Sequence, residues 1–192
     1  KMNLNKIKTE VQNLITFKEE DFVLFSNYLK IITLKKNEIW ENENVVSKNM
    51  GFVNSGILRQ YYIKNGDEHT DNFFIEKDFI GNYISHLSNE PSKSFTRAIE
   101  PCELIVMPFL QLETLFKTMP VVEEFSKKIG EKKLFELNQR STSFLMDTPE
   151  ERYYNLLENK PNIINRVPQY LIAQYLGIKP ESLSRIRKRH IS

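Results

Sequence analysis

Hydrophobic and polar positions along the chain follow two different periods. Between Ile31 and Met107 apolar and polar residues alternate in short runs rich in β-branched and aromatic side chains. Successive side chains of an extended chain point to opposite faces, so such alternation marks half-buried strands. The runs Ile31–Leu34, Gly51–Val53, Ile57–Ile63, Asn72–Ile75 and Leu104–Met107 predict strands on this basis. Lys64-Asn65-Gly66-Asp67 lies between two of them. Asn-Gly between alternating segments predicts a tight hairpin, because both central residues must accept positive φ. Many short strands joined by turns point to a jelly roll, sandwich or barrel.

After Met107 the period lengthens. Leu110–Lys117 predicts a short helix stopped near Pro120, and Val121–Met146 contains no proline and one glycine, Gly130. Val122, Phe125, Ile129, Leu134, Leu137, Phe144 and Leu145 trace a helical stripe along it. A helix of this length commonly packs against a second copy of itself, so residues 121–146 are expected to carry a homodimer, the alternative being a helix packed wholly on its own β domain. Asp147-Thr148-Pro149-Glu150 marks a break and a restart, with Thr148 as N-cap and Pro149 at the first helical position. A domain boundary is placed near residue 147.

Residues 169–188 carry the most specific pattern. Two helices that cross steeply need a small residue at the crossing, a turn residue tolerant of positive φ, and apolar positions on the facing sides. Ala173 and Gly177 supply the first two, and Ile172, Leu176, Ile178, Leu183 and Ile186 the third. Pro168 opens the first helix and Pro180 suits the first turn of the second. Lys179, Glu181, Ser182, Arg185, Lys188 and Arg189 remain on the outer side of the second helix. A major groove admits one helix; Arg can pair bidentately with guanine and Glu can accept from the cytosine amino group. Lysines and arginines farther along can neutralise phosphates.

Charge supports this reading and the rest of the composition narrows the alternatives. Residues 151–192 carry eight Lys and Arg against three acids, or +5, while the remainder carries nineteen basic against twenty-two acidic residues, or −3. A basic segment beside an acidic body fits a polyanion partner for that segment alone. Cys102 is the only cysteine, which excludes an intramolecular disulfide framework and a cysteine-held zinc or iron–sulfur centre. His69, His86 and His190 are far apart in sequence and suggest no metal site, so no metal or cofactor is expected. No run has membrane-spanning length and no signal-peptide pattern is visible, so a cytoplasmic protein with no membrane partner is expected.

With Ile172-Ala173-Gln174-Tyr175-Leu176-Gly177, the segment Glu181 to Lys188 and Asp78-Phe79-Ile80-Gly81 in view, residues from about 20 to 192 resemble the Crp/Fnr family of bacterial transcription regulators. The resemblance implies an α+β fold. Its parts would be an N-terminal β-roll, a double-stranded jelly roll of the cyclic-nucleotide-binding kind, then a long dimerisation helix and a C-terminal winged helix-turn-helix. The corresponding domains are residues 1–118, 119–147 and 148–192. Glu181 and Arg185 would fall on base-reading positions, and Gln169 and Ser182 on backbone-contacting ones. Double-stranded DNA and a second copy would be partners, with RNA polymerase a further one. Pro180 departs from the pattern, standing where a base-reading arginine is found and offering no hydrogen bond.

In cyclic-nucleotide binders of that family a glutamate follows the glycine of the Phe-x-Gly motif and an Arg-Ser or Arg-Thr pair grips the phosphate. Here Gly81 is followed by Asn82, and the matching segment reads Pro91-Ser92-Lys93-Ser94. Lys93 offers charge without the planar fork of arginine. Control by cyclic AMP is therefore not expected, and an effector pocket for another small molecule would be lined by Gly81, Asn82, Ser92, Lys93 and Arg97. A regulator answering to a cyclic nucleotide or another small molecule is the alternative. A ligand-binding module docking on protein and a cupin-like metalloenzyme on the β-roll stand behind it; an enzyme is not expected.

Overall fold

The computed structural model describes residues 3–191, and the side chains of His190 and Ile191 lie outside the described set. The chain opens with α1 (Asn5–Leu14) and α2 (Glu19–Ser26), short helices that bury Ile7, Val11, Phe22 and Phe25. Eight strands follow: β1 (Lys30–Leu34), β2 (Ile39–Glu41), β3 (Asn49–Ser55), β4 (Leu58–Lys64), β5 (Asp67–Phe74), β6 (Phe79–Ile80), β7 (Phe95–Ala98) and β8 (Cys102–Pro108). The helix α3 (Tyr83–Ser88) interrupts them. They form two four-stranded sheets, ordered β1-β8-β3-β6 and β2-β7-β4-β5. β8 is the central partner in the first sheet, pairing antiparallel with β1 from Lys30↔Val106 to Leu34↔Cys102 and with β3 from Asn49↔Pro108.

All five predicted strands form. The run predicted as Asn72–Ile75 begins earlier, at Asp67, and loses Ile75, whose N–H donates to the Asp78 carboxylate in the turn that follows. Asn65 and Gly66 take φ of 55° and 87°, the paired positive values a two-residue hairpin turn requires. Strands β2, β6 and β7 have two to four residues each, too few to show a period of two in the sequence.

Helix α4 (Phe109–Thr118) leads into α5 (Pro120–Met146), a single helix of 27 residues. The first turns of α5 enter an aromatic cluster: the Phe125 ring lies 5.3 Å from Phe79, 6.3 Å from Phe25 and 6.4 Å from Phe17. These edge-on approaches suit ring quadrupoles, and Val122 and Phe125 are fully buried there. The remaining helices are α6 (Pro149–Asn159), α7 (Ile163–Arg166), α8 (Gln169–Leu176) and α9 (Pro180–Ile191). Thr148 caps α6 in a capping box, its hydroxyl accepting from the Glu151 N–H while the Glu151 carboxylate accepts from the Thr148 N–H. Among the described residues this C-terminal part contributes helices only, so the strands of the wing implied by the resemblance are not among them.

The chain divides into two compact units: residues 1–60 with 73–133, and residues 61–72 with 134–192. The division falls inside α5, and the β4–β5 hairpin tip belongs with the C-terminal unit. Among the described residues no helix is long and apolar enough to cross a membrane. Replacing Phe125 by Ala is expected to destabilise the N-terminal unit by about 3–5 kcal/mol, the usual range for a buried ring left as a cavity. Urea unfolding followed by circular dichroism would measure this loss.

Candidate nucleic-acid interface and effector pocket

The turn between α8 and α9 is closed by its own backbone. Gly177 sits at φ 67°, the left-handed conformation, and its N–H donates to the Gln174 carbonyl while that of Ile178 donates to Ala173. These two bonds make a Schellman motif, which ends a helix and redirects the chain at once. Pro180 then starts α9, with the Ser182 and Leu183 N–H groups returning to the Lys179 carbonyl. Leu171, Ile172, Ala173 and Leu176 of α8 are buried, as are Leu183 and Ile186 of α9. Ile178 is only half-buried, since it lies in the turn. Gly177 is also a point of close approach: a Cβ there would meet the Phe144 ring at 2.8 Å.

The candidate DNA contacts fall as follows. Gln169 is exposed at the start of α8, where helix N–H groups lack intrahelical partners. Lys179, Glu181, Arg185, Lys188 and Arg189 are exposed, and Ser182 is half-buried. Arg185 Nη2 donates to the Ser182 hydroxyl at 3.3 Å, one turn back along α9. Arg189 reaches the Glu150 carboxylate of α6 at 3.7 Å, an oxygen pair that also accepts from the Tyr154 hydroxyl. Arg189 is thus part of the packing of α9 on α6 as well as a cationic end to the helix. Arg140 and Arg152, which surround the turn from α5 and α6, were not singled out in the sequence, and Phe144 was placed only in the apolar stripe of the long helix. The four-residue spacing of Arg140 and Phe144 on one helix face was the available signal.

The candidate effector pocket has a different character. Gly81 takes φ 136° and packs so tightly that a Cβ would meet the Asn49 carbonyl and the Phe109 ring at 2.8 Å. It supports the motif and leaves no room beside itself. Asn82 caps α3, its side-chain oxygen accepting from the Ser85 N–H, while its own N–H donates to the Ser47 hydroxyl and its amide lies 3.5 Å from the Ser92 hydroxyl. Ser92 is buried, donates to the Ser94 carbonyl and accepts from the Ser94 N–H. The Ser94 hydroxyl accepts from the Gln60 amide at 3.1 Å. Asn82 and Ser92 come together, and their polar atoms are spent on one another and on the backbone. Lys93 is exposed, and Arg97 sits half-buried on β7.

This network continues to a residue not singled out in the sequence. Glu41, on β2, accepts a hydrogen bond from Ser47, and its Oε1 is buried without a hydrogen-bond partner. Burial pushes the Glu41 carboxyl above its ordinary value of 4.5, with the Ser47 bond opposing in part. A carboxyl raised on folding contributes most at pH below its unfolded value and loses that contribution as pH rises through the folded value. Glu41→Gln should accordingly melt at higher temperature than the parent near neutral pH. The gain should shrink as the pH falls towards 4.5. Thermal melts across that range would check it, and a constant difference would exclude Glu41 titration as the cause.

No protein-family model and no curated protein sequence matches this chain. Several solved structures do. A CooA variant from Carboxydothermus hydrogenoformans superposes with a TM-score of 0.68 at 17% identity, over 98% of this chain and 84% of that one. FixK2 from Bradyrhizobium japonicum gives 0.71 at 16% identity, over 84% and 83%. A transcriptional regulator of the Crp/Fnr family from Eubacterium rectale gives 0.65 at 18% identity, over 92% and 87%. The chain has the fold of Crp/Fnr regulators: an α+β chain of a β-roll, a long helix and a C-terminal helix-turn-helix.

Proposed function

We propose that this protein is a sequence-specific, double-stranded-DNA-binding transcription regulator that acts as a homodimer in the cytoplasm. The observation that carries the proposal is the helix pair itself. A Schellman turn fixes α9 against α8 through buried Leu183 and Ile186, and leaves Glu181 and Arg185 exposed on the first turns of α9. Those are the turns that reach base edges when a recognition helix enters a major groove. Gln169, Lys179, Ser182, Lys188 and Arg189 add positioning contacts to phosphates. RNA polymerase is the partner through which such a regulator would act.

The dimer surface is narrower than the whole of α5. Val122 and Phe125 are buried in the chain's own core, whereas Leu134, Leu137, Leu145 and Met146 are 70%, 61%, 82% and 78% exposed. Large apolar side chains held out to water along one helix favour association with a second copy. We place the seam on residues 134–146. Leu137→Glu should turn the dimer into a monomer by sedimentation velocity and weaken binding to a palindromic site.

The β-roll is proposed not to answer to cyclic AMP. Asn82 stands where an ionised ribose acceptor would be required, and Ser92 and Ser94 are bonded internally. A ligand phosphate would have to replace those bonds, and Lys93 offers charge without the planar fork of arginine. Selection from a random DNA pool should yield a palindrome with half-sites about one helical turn apart. Arg185→Ala should weaken binding to that palindrome by about 1–3 kcal/mol and flatten the preference at one base position. Millimolar cyclic AMP should leave affinity unchanged. Equal binding of palindrome and random DNA by the unaltered protein would overturn the assignment.

A further inference from the structure

The last four carbonyls of a helix have no partners within it and must be satisfied from elsewhere. In α8 the accounting is complete and uses two sources. Ala173 and Gln174 carbonyls accept from the turn's own N–H groups, as described above. The next two accept from arginines outside the helix pair: Arg140 Nη2 donates to the Tyr175 carbonyl at 3.2 Å, and Arg152 Nε donates to the Leu176 carbonyl at 3.0 Å. Arg140 comes from the end of α5 and Arg152 from the first turn of α6.

Both guanidinium groups are held at 5.0 Å from the centre of the same Phe144 ring. Gly177, lacking a Cβ, lets that ring come against the turn. Arg140 also stacks on the Tyr175 ring at 3.9 Å, and its Nε faces the Asp71 carboxylate of the β4–β5 hairpin at 3.8 Å. Beside it Thr70 donates to the Gln174 side chain at 2.8 Å. Arg152 is fixed at its other end by a 2.7 Å bond from Nη1 to the Asp147 carbonyl. A planar fork that donates to a helix C-terminus and stacks on an aromatic face holds both direction and distance, which lysine in the same place does not.

We propose that Arg140 and Arg152 are positioning residues: they lock the DNA-reading helix pair onto the end of α5 and so set the distance between the two readers of the dimer. The role rests on the DNA-reading, dimeric function proposed above. Neither arginine need touch DNA. Two linked readers gain affinity on a full palindrome only if their geometry allows both to engage at once, and the gain disappears when it does not. Loosening the clamp should therefore weaken full-site binding while a single half-site is still read normally.

The test uses the whole chain of residues 1–192 with three kinds of duplex: the selected palindrome, a single half-site, and palindromes with the half-sites moved by one and two base pairs. For Arg140→Lys and Arg152→Lys, half-site affinity should stay within about twofold of the parent. The advantage of palindrome over half-site should fall by about tenfold or more, and the spacing preference should flatten. Asp71→Asn, which lies outside the helix pair and removes only the hairpin's hold on Arg140, should move the same ratio in the same direction by less. An unchanged ratio and spacing optimum in all three variants overturns the positioning role. So does an equal fall in half-site and full-site binding, which is what a purely structural contribution predicts. A parent protein with no preference for the palindrome would instead overturn the DNA-reading function on which the role stands.

Discussion

The burial of Phe125 among the rings of Phe17, Phe25 and Phe79 is the interaction on which the rest of the molecule depends. It commits the opening turns of α5 to the core of the N-terminal unit, where a fully buried ring contributes on the order of a few kcal/mol. The far part of this 27-residue helix, from Leu134, belongs to the other unit. Leu134, Leu137, Leu145 and Met146 are exposed there, and apolar side chains held out to water along one helix favour a second copy. One helix thus serves as core element at one end and as the proposed dimer seam at the other.

The helix-turn-helix rests on a different kind of constraint, the obligation of buried backbone groups to find partners. Its turn closes through Gly177, and the two carbonyls the turn leaves over are taken by Arg140 and Arg152. Stabilisation and placement are therefore the same act. The bonds that satisfy the C-terminus of α8 also tie it to α5 and α6. A hydrophobic cap could cover this end of the helix, but it would not specify an angle, because dispersion contacts lack the direction of a hydrogen bond.

In the β-roll the Asp78-Phe79-Ile80-Gly81 motif is held by close packing and by a network of polar side chains. Gly81 is required, since any side chain would collide with the Asn49 carbonyl and the Phe109 ring. Around it, Asn82, Ser47, Ser85, Ser92, Ser94 and Gln60 bind one another. Polar groups in a low-dielectric site bind strongly to whatever is fixed beside them, so a self-satisfied network resists an incoming ligand that would have to replace its bonds. Glu41 joins this network through Ser47 and keeps one buried oxygen that the network does not reach.

Much of this architecture was legible in the amino-acid sequence because it is encoded locally. Alternation predicted the longer strands, Asn65-Gly66 the hairpin, Thr148-Pro149 the start of α6, and Ala173, Gly177 and the apolar spacing around them the helix-turn-helix. Each depends on residues within a turn or two of one another, where period and φ preference decide the outcome. The short strands β2, β6 and β7 escaped, since they exist by pairing with distant partners and are too brief to display a period. Asn82 and Ser92 could be named from a motif, but that their hydroxyl and amide groups would be consumed by each other could not. Nor could the meeting of Asp71, Arg140, Phe144 and Arg152 around Gly177, residues up to 106 positions apart in the chain. The sequence by itself determined which segments become strands, helices and a helix-turn-helix. Only the tertiary structure decided which polar groups are already satisfied and what holds the helix pair in place, because partners far apart in sequence are chosen by packing.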